Sequence, residues 1–257
     1  MKQELIKEIV RVGNSAGVLL PKQWLNGRAR VELIEKPLDL EKDILNILKP
    51  YLKGIKGIYL VGSYARGEQS KESDVDVLAI TENENKEIKE GKYEILLVSQ
   101  KNLGNILTKN ILPLLPMLKE AKPILNEELI SSYKKIKINN SNIRRHIELT
   151  KSILKMNKYL IDIYKDLEDK IPDGVIYSLI LRLREMYIIK DLKEGKIPTT
   201  AKLKEIIKNL AGSLGPYESY LRTKKEEKEQ EVVSVEIAIK IYEYLKREIE
   251  IWEKRKK

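Results

Sequence analysis

Cysteine is absent from the 257 residues, which excludes disulfides and thiolate metal sites. Histidine occurs once, at His146, flanked by Arg144 and Arg145. Neither a ligand set nor a base partner accompanies it, so it reads as a surface or interface residue. Phenylalanine is missing too, while tyrosine occurs 13 times. No apolar run approaches the roughly 20 residues of a membrane span, and the opening MKQELIKEIVRVG lacks the apolar segment of a secretory signal. These absences point to the cytoplasm and away from any membrane partner. What is present, 42% hydrophobic and 34% charged residues, describes a soluble globular chain with ample length for a buried core. A net charge of +10 favours a polyanionic partner such as nucleic acid.

The most informative stretch is Gly57 to Ile80, GIYLVGSYARGEQSKESDVDVLAI. Ile58, Leu60 and Val61 predict a short buried strand that ends at Gly62-Ser63. A polar connection follows, broken at Gly67, and Ser73-Asp74-Val75-Asp76-Val77 predicts a second strand. Asp74 and Asp76 are two residues apart and so point to one face, with Val75 and Val77 on the other. Paired carboxylates repel, and burying the face that bears them is costly without a cation. Hard oxygen donors beside a Gly-Ser turn suit Mg²⁺ and a phosphate.

This stretch resembles the nucleotidyltransferases of the DNA polymerase beta superfamily, whose signature is GS, a spacer, then DxD. Gly62-Ser63 and Asp74-x-Asp76 match with ten residues between Ser63 and Asp74, and Arg66, Gly67 and Ser73 fall where the small members carry them. The family pattern adds a third carboxylate on a later strand. Lys92-Tyr93-Glu94-Ile95-Leu96-Leu97-Val98 supplies Glu94, where many relatives carry Asp. The resemblance implies Asp74, Asp76 and Glu94 as catalytic residues and ligands of two Mg²⁺ ions. It implies Gly62, Ser63, Arg66 and Ser73 as the binding set for a nucleoside triphosphate, with ATP the expected one.

Towards the N-terminus, Ile9-Val10-Arg11-Val12 predicts a strand, Gly13-Asn14-Ser15 a tight turn and Gly17-Val18-Leu19-Leu20 a second strand ended by Pro21. Beyond Trp24 and a turn at Asn26-Gly27, Arg30-Val31-Glu32-Leu33-Ile34 alternates as a further strand. Val12 to Lys22 (VGNSAGVLLPK) followed by Val31-Glu32-Leu33 resembles the AbrB-like swapped-hairpin family of transcription factors and antitoxins. That resemblance implies a homodimer of interlaced hairpins, with Arg11, Asn14, Ser15 and Lys22 at DNA and Lys7 and Arg28 as phosphate contacts.

Asp39 to Leu52 predicts a helix leading into the catalytic strand. Thr81 to Lys92 is a polar, hairpin-like excursion or exposed loop, and Lys122-Pro123-Ile124-Leu125 a last short strand. The expected core is a mixed sheet with helices on one face. From Glu127 strand signals vanish. Helices are predicted over Ser141–Lys170, Asp173–Leu192, Thr199 or Thr200 to Gly212, and Val232–Trp252, the last with an apolar stripe at Val235, Ala238, Tyr242, Leu245, Ile249 and Trp252. Lys224–Glu231 reads as a solvated linker or exposed helical turn, and the terminal KRKK as a frayed tail.

The fold class is therefore α+β in three domains: a β-hairpin domain over 1–37 for dimerisation and DNA, a nucleotidyltransferase domain with a mixed sheet over 38–126, and an all-α bundle over 127–257. The bundle resembles the helical substrate domains of the superfamily and also the HEPN bundle. HEPN ribonucleases carry Arg, four to six residues, then His; Arg144 and Arg145 stand too close to His146, so that reading fails. Arg182, Arg184, Glu185 and Tyr187 on the middle helix are candidates for an acceptor side. Two functions follow. One is Mg²⁺-dependent transfer of a nucleoside monophosphate from a triphosphate to a hydroxyl on a protein, an RNA or a small molecule. The other is an antitoxin-type DNA-binding autoregulator that acts with a partner toxin.

Overall fold

The structure, a computed structural model, describes residues 4–34, 38–71, 73–230 and 232–254. It divides into two compact units, Met1–Leu40 and Glu41–Lys257. In the first, β1 (Ile9–Val12) and β2 (Ser15–Val18) pair antiparallel, Val12 opposite Ser15. Gly13 takes φ +59 at the first position of the two-residue turn, a backbone that glycine adopts without cost. The second strand thus starts two residues earlier than the apolar run suggested. The expected strand over Arg30–Ile34 does not form: those residues lie outside any ladder, with Val31, Leu33 and Ile34 exposed. A strand needs a neighbour for its backbone groups, and a single copy of this hairpin offers none there.

The second unit opens with α1 (Leu40–Leu48), which buries Ile44 and Leu48. The helix expected to reach Leu52 tightens into a 3₁₀ segment over Lys49–Gly54, because Pro50 removes a backbone donor. The chain then forms β3 (Ile55–Leu60), the single-turn α2 (Gly62–Arg66), β4 (Val75–Thr81), β5 (Lys86–Glu90) and β6 (Tyr93–Ser99). Next come α3 (Gln100–Lys109), α4 (Leu115–Glu120) and β7 (Lys122–Leu125). The sheet order is β5-β6-β4-β3-β7, with β4 and β6 parallel and the other pairs antiparallel. The polar excursion after β4 is therefore a strand, turned back onto β6 through Gly91-Lys92. Its KEIKE sequence and Pro123 in β7 occupy the two edges, where charge and a missing donor discourage further pairing. Central β4 is buried at every position except Asp76, as its apolar run requires.

Five further stretches complete the helical part: α5 (Glu127–Lys134), α6 (Asn140–Asp166), α7 (Asp173–Lys193), α8 (Thr200–Ala211) and α9 (Gly215–Lys224), and α10 (Val235–Lys254) closes the chain. α9 takes in Lys224, the first residue of the expected linker. Of the terminal basic tail, 255–257 lie outside the described residues. The stripe on α10 is a bundle core: Val235, Ala238, Leu245, Ile249 and Trp252 are buried, and Tyr242 is half-buried against them.

One apolar core runs from Tyr59, Leu78, Ile80 and Val98 on the sheet through Leu115 and Leu118 to Ile147, Leu179 and Leu245 in the bundle. Tyr59 pairs with Leu78, and Leu78 lies two residues beyond Asp76, so the carboxylates and this core share one face. The opposite face carries Val75 and its register partner Tyr93, whose hydroxyl donates to Asp43 of α1 at 2.7 Å. Helices thus cover both faces, correcting the one-sided layer expected from sequence. α1 precedes the first strand of this sheet, and its Asp43 meets Tyr93 on the far face.

Candidate active site

β3 and β4 run antiparallel, so the end of β3 meets the start of β4. Val61 N–H donates to the Asp76 carbonyl at 2.9 Å and brings the Gly62-Ser63 turn against Asp76. Gly62 has φ +67, and a Cβ there would lie 2.1 Å from Asp76 Oδ2. Only glycine lets the turn and the carboxylate come this close. Ser63 begins the body of α2, and its carbonyl accepts from the Glu68 amide at 2.9 Å.

Parallel pairing puts Asp76 and Glu94 at the same register position on adjacent strands, so both side chains leave the same face. Asp74 stands exposed just before β4, on that face as well. Burial pushes the Asp76 carboxyl above the usual carboxylate range; Glu94 and Asp74 push the same way, against Lys224 and Arg66. Lys224 belongs to α9, so the helical layer carries a cation toward the carboxylates. Glu94 accepts from Lys89 Nζ of β5 at 3.0 Å, and Glu87 lies 3.5 Å from the same ammonium.

The remaining residues divide. Arg66 donates from Nε to Glu68 at 2.8 Å and from its other guanidinium nitrogens to Glu120 at 2.5 Å and Thr200 Oγ1 at 3.4 Å. Ser73 Oγ accepts from the Ser70 amide at 2.8 Å and so closes the turn that delivers Asp74. Arg182 and Tyr187 are buried in the bundle: Arg182 pairs with Glu185 at 2.7 Å, and Tyr187 OH accepts from the Thr199 amide at 2.8 Å. Arg184 alone of that set is exposed. His146 is also buried rather than superficial, and neither ring nitrogen has a partner among the described residues. Burial, Arg182 and Arg145 together hold its pKa down. On the hairpin, Arg11, Asn14, Ser15 and Lys22 are exposed, with Arg11 Nε donating to the Gly13 carbonyl at 3.0 Å.

Sequence reasoning missed Glu68, Glu120, Thr200 and Lys224. Glu68 sits inside the motif, as an acid two residues after an arginine. No local pattern marks the others, which reach the site from α4, α8 and α9.

An all-oxygen, mutually repelling set of carboxylates fits Mg²⁺ in chemical kind. Among the described residues no three such side chains converge tightly enough to hold an ion on their own.

The site thus sets a glycine-serine turn against one aspartate, with a second acid in register on the next strand. The polymerase beta nucleotidyltransferase family model matches residues 42–142. A putative protein adenylyltransferase of Methanocaldococcus jannaschii is 41% identical over 73 residues, 28% of this chain and 70% of that relative. The chain belongs to the polymerase beta nucleotidyltransferase family. Among solved structures, a nucleotidyltransferase-like protein from Exiguobacterium sibiricum 255-15 has a TM-score of 0.37 at 14% identity, over 82% of this chain and 74% of that one. The spectinomycin adenyltransferase AAD(9) from Enterococcus faecialis, with ATP and spectinomycin, gives 0.44 at 16% identity, over 81% of this chain and 97% of that one.

Proposed function

We propose that the protein is a Mg²⁺-dependent nucleotidyltransferase that moves a nucleoside monophosphate from a triphosphate to a hydroxyl acceptor and releases pyrophosphate. The observation that carries this reading is the packing of Gly62 on Asp76, which sets a phosphate turn against a metal-binding carboxylate. ATP is the nucleotide assigned, supported by the adenylyltransferase name of the archaeal relative.

The acceptor oxygen attacks the α-phosphorus, and the bond from that phosphorus to the oxygen bridging the β-phosphate breaks. The electron pair leaves with pyrophosphate. The Gly62-Ser63 turn orients the β- and γ-phosphates with the Ser63 hydroxyl and amide, and Arg66 and Ser73 hold the ends of the connection to Asp74. Asp74 and Asp76, with Glu94, are the assigned ligands for two Mg²⁺ ions, which would neutralise the triphosphate and lower the pKa of the acceptor hydroxyl. Glu94 accepts the acceptor's proton. The acceptor is a protein, an RNA or a small molecule. Incubation of the protein with cell extract and ATP labelled at the α- or the γ-phosphate tests the reaction type. Transfer of α-label alone supports the reading. Transfer of γ-label would make the protein a phosphotransferase instead.

A second reading concerns the hairpin. Ile9 and Val12 are exposed on a two-stranded sheet too small to be stable by itself, and Leu19 and Leu20 are exposed just beyond its second strand. This favours a homodimer through the hairpins, with Arg11, Asn14, Ser15 and Lys22 presented to DNA and the chain acting as an antitoxin-type autoregulator beside a toxin partner. Light scattering on wild type and Ile9→Asp/Val12→Asp tests the dimer, and Arg11→Ala/Lys22→Ala in a salt-dependent gel shift tests DNA contact.

A further inference from the structure

Glu120 closes α4, far in sequence from the GS and DxD residues. Its side chain is 5% exposed, and its two oxygens serve two parts of the catalytic turn. Oε1 accepts the Gly62 N–H at 2.7 Å, and Oε2 accepts from the Arg66 guanidinium at 2.5 Å. Arg66 continues the network to Glu68 and Thr200, and the Thr200 amide donates to Glu68 at 3.3 Å. The start of α8 is thereby tied to the turn through one guanidinium.

Burial pushes the Glu120 carboxyl upward, against the pull of Arg66 and the Gly62 amide. A carboxylate kept at such a position has to satisfy donors that would otherwise be stranded. Here those donors are an amide in left-handed backbone and a guanidinium facing inward. With one positive and two carboxylate groups, the Arg66–Glu68–Glu120 cluster offers a triphosphate no net positive charge. Its contribution to phosphate recognition is therefore geometric. It fixes where Ser63 stands relative to Asp76.

We infer that Glu120 is a positioning residue for nucleotidyl transfer, acting through the Gly62-Ser63 turn and Arg66 without touching the nucleotide. The inference rests on the reading that this turn holds the β- and γ-phosphates. An opposed reading is that the carboxylate stands in for a phosphate oxygen and must leave before the nucleotide binds. The two differ in sign: loss of a positioning carboxylate weakens triphosphate binding, whereas loss of a stand-in tightens it.

The test measures Kd for ATP and for AMP by calorimetry with Mg²⁺, on the full chain and on Glu120→Ala and Glu120→Gln, with Tm recorded alongside. AMP lacks the phosphates that the turn would hold, so the ATP/AMP preference reports the turn and not the fold. Wild type is expected to prefer ATP, and Glu120→Ala to lose about tenfold or more of that preference, the scale of one charge-assisted hydrogen bond. Glu120→Gln, which keeps an acceptor for Gly62 but drops the charge facing Arg66, falls between them. It carries the comparison if the alanine variant does not fold. Adding Arg66→Ala to Glu120→Ala is expected to cost no further preference, because both act through one turn. A lower Tm with the preference unchanged would reduce Glu120 to a structural role, and tighter ATP binding would make it a stand-in; either overturns the inference. Wild type with no preference for ATP over AMP would instead overturn the phosphate-turn reading on which it rests.

Discussion

A methyl group on Gly62 would lie 2.1 Å from Asp76 Oδ2. Gly62→Ala therefore places a side chain in left-handed backbone and drives the turn off the carboxylate at once. The backbone strain alone costs about 1 kcal/mol, and displacement of the turn by ~1 Å is expected to lower nucleotidyl transfer on the order of 10²-fold. Steady-state transfer and thermal melts on the variant check this. Activity within a few-fold of wild type would show that the close approach is dispensable.

Asp76 carries a repulsion that Glu94 and Asp74 create and burial strengthens. Asp76→Asn relieves it, so in the absence of divalent ions the variant should melt at or above the wild-type temperature. With Mg²⁺ the order reverses. Wild type gains about 2.7 kcal/mol at a hundredfold excess over Kd, and the variant gains less. Calorimetric melts with and without Mg²⁺ read both signs.

A buried ion pair joins α7 to α9. Arg222 donates to both oxygens of Asp173, at 2.8 and 2.9 Å. Burial would raise the Asp173 pKa, but Arg222, Ser219 and the Gln230 amide outweigh it and hold the group below its ordinary 3.8. A depressed carboxylate stabilises the fold above its unfolded pKa, and that stability is lost as pH falls through the folded value. Acid melts of wild type should show a loss below about pH 4 that Asp173→Asn lacks. The variant should also be about 3–5 kcal/mol less stable at neutral pH, because Arg222 keeps its charge without a partner.

His146 has the opposite sign. Its folded pKa lies below the ordinary 6.5, so the folded chain binds fewer protons there than the unfolded one. Stability is full above 6.5 and falls as pH drops through it toward the folded value. His146→Leu should flatten the stability profile just below pH 6.5. Chemical denaturation across that range checks it.

How much of this was legible in the sequence differs by element. The β3–turn–β4 unit was readable because it is local: an apolar run, a glycine-serine break and a two-residue aspartate period specify strand, turn and face. Glu94 was readable through the family pattern, and register pairing then set it beside Asp76. β5 was legible only as a hairpin-like excursion or a loop, because KEIKE is an edge strand, whose sequence is shaped by solvent and not by a core. α9 was hidden by its mixed composition; its ties to α7 are tertiary, Tyr220 stacked on Tyr177 and Arg222 paired with Asp173. His146 was read as a surface or interface residue because no ligand set or base partner accompanies it, while helical periodicity turns it inward beside Ile147 and Ile143. Glu120 had no signal at all, since its partners lie 54 and 58 residues away in sequence.

The most direct test of nucleotidyl transfer compares wild type with Asp74→Ala/Asp76→Ala in extract supplied with α-labelled ATP, with and without Mg²⁺. The account predicts Mg²⁺-dependent label on a defined acceptor, absent from the double variant. Label that persists in the double variant, or no transfer from any triphosphate by folded wild type, would contradict it.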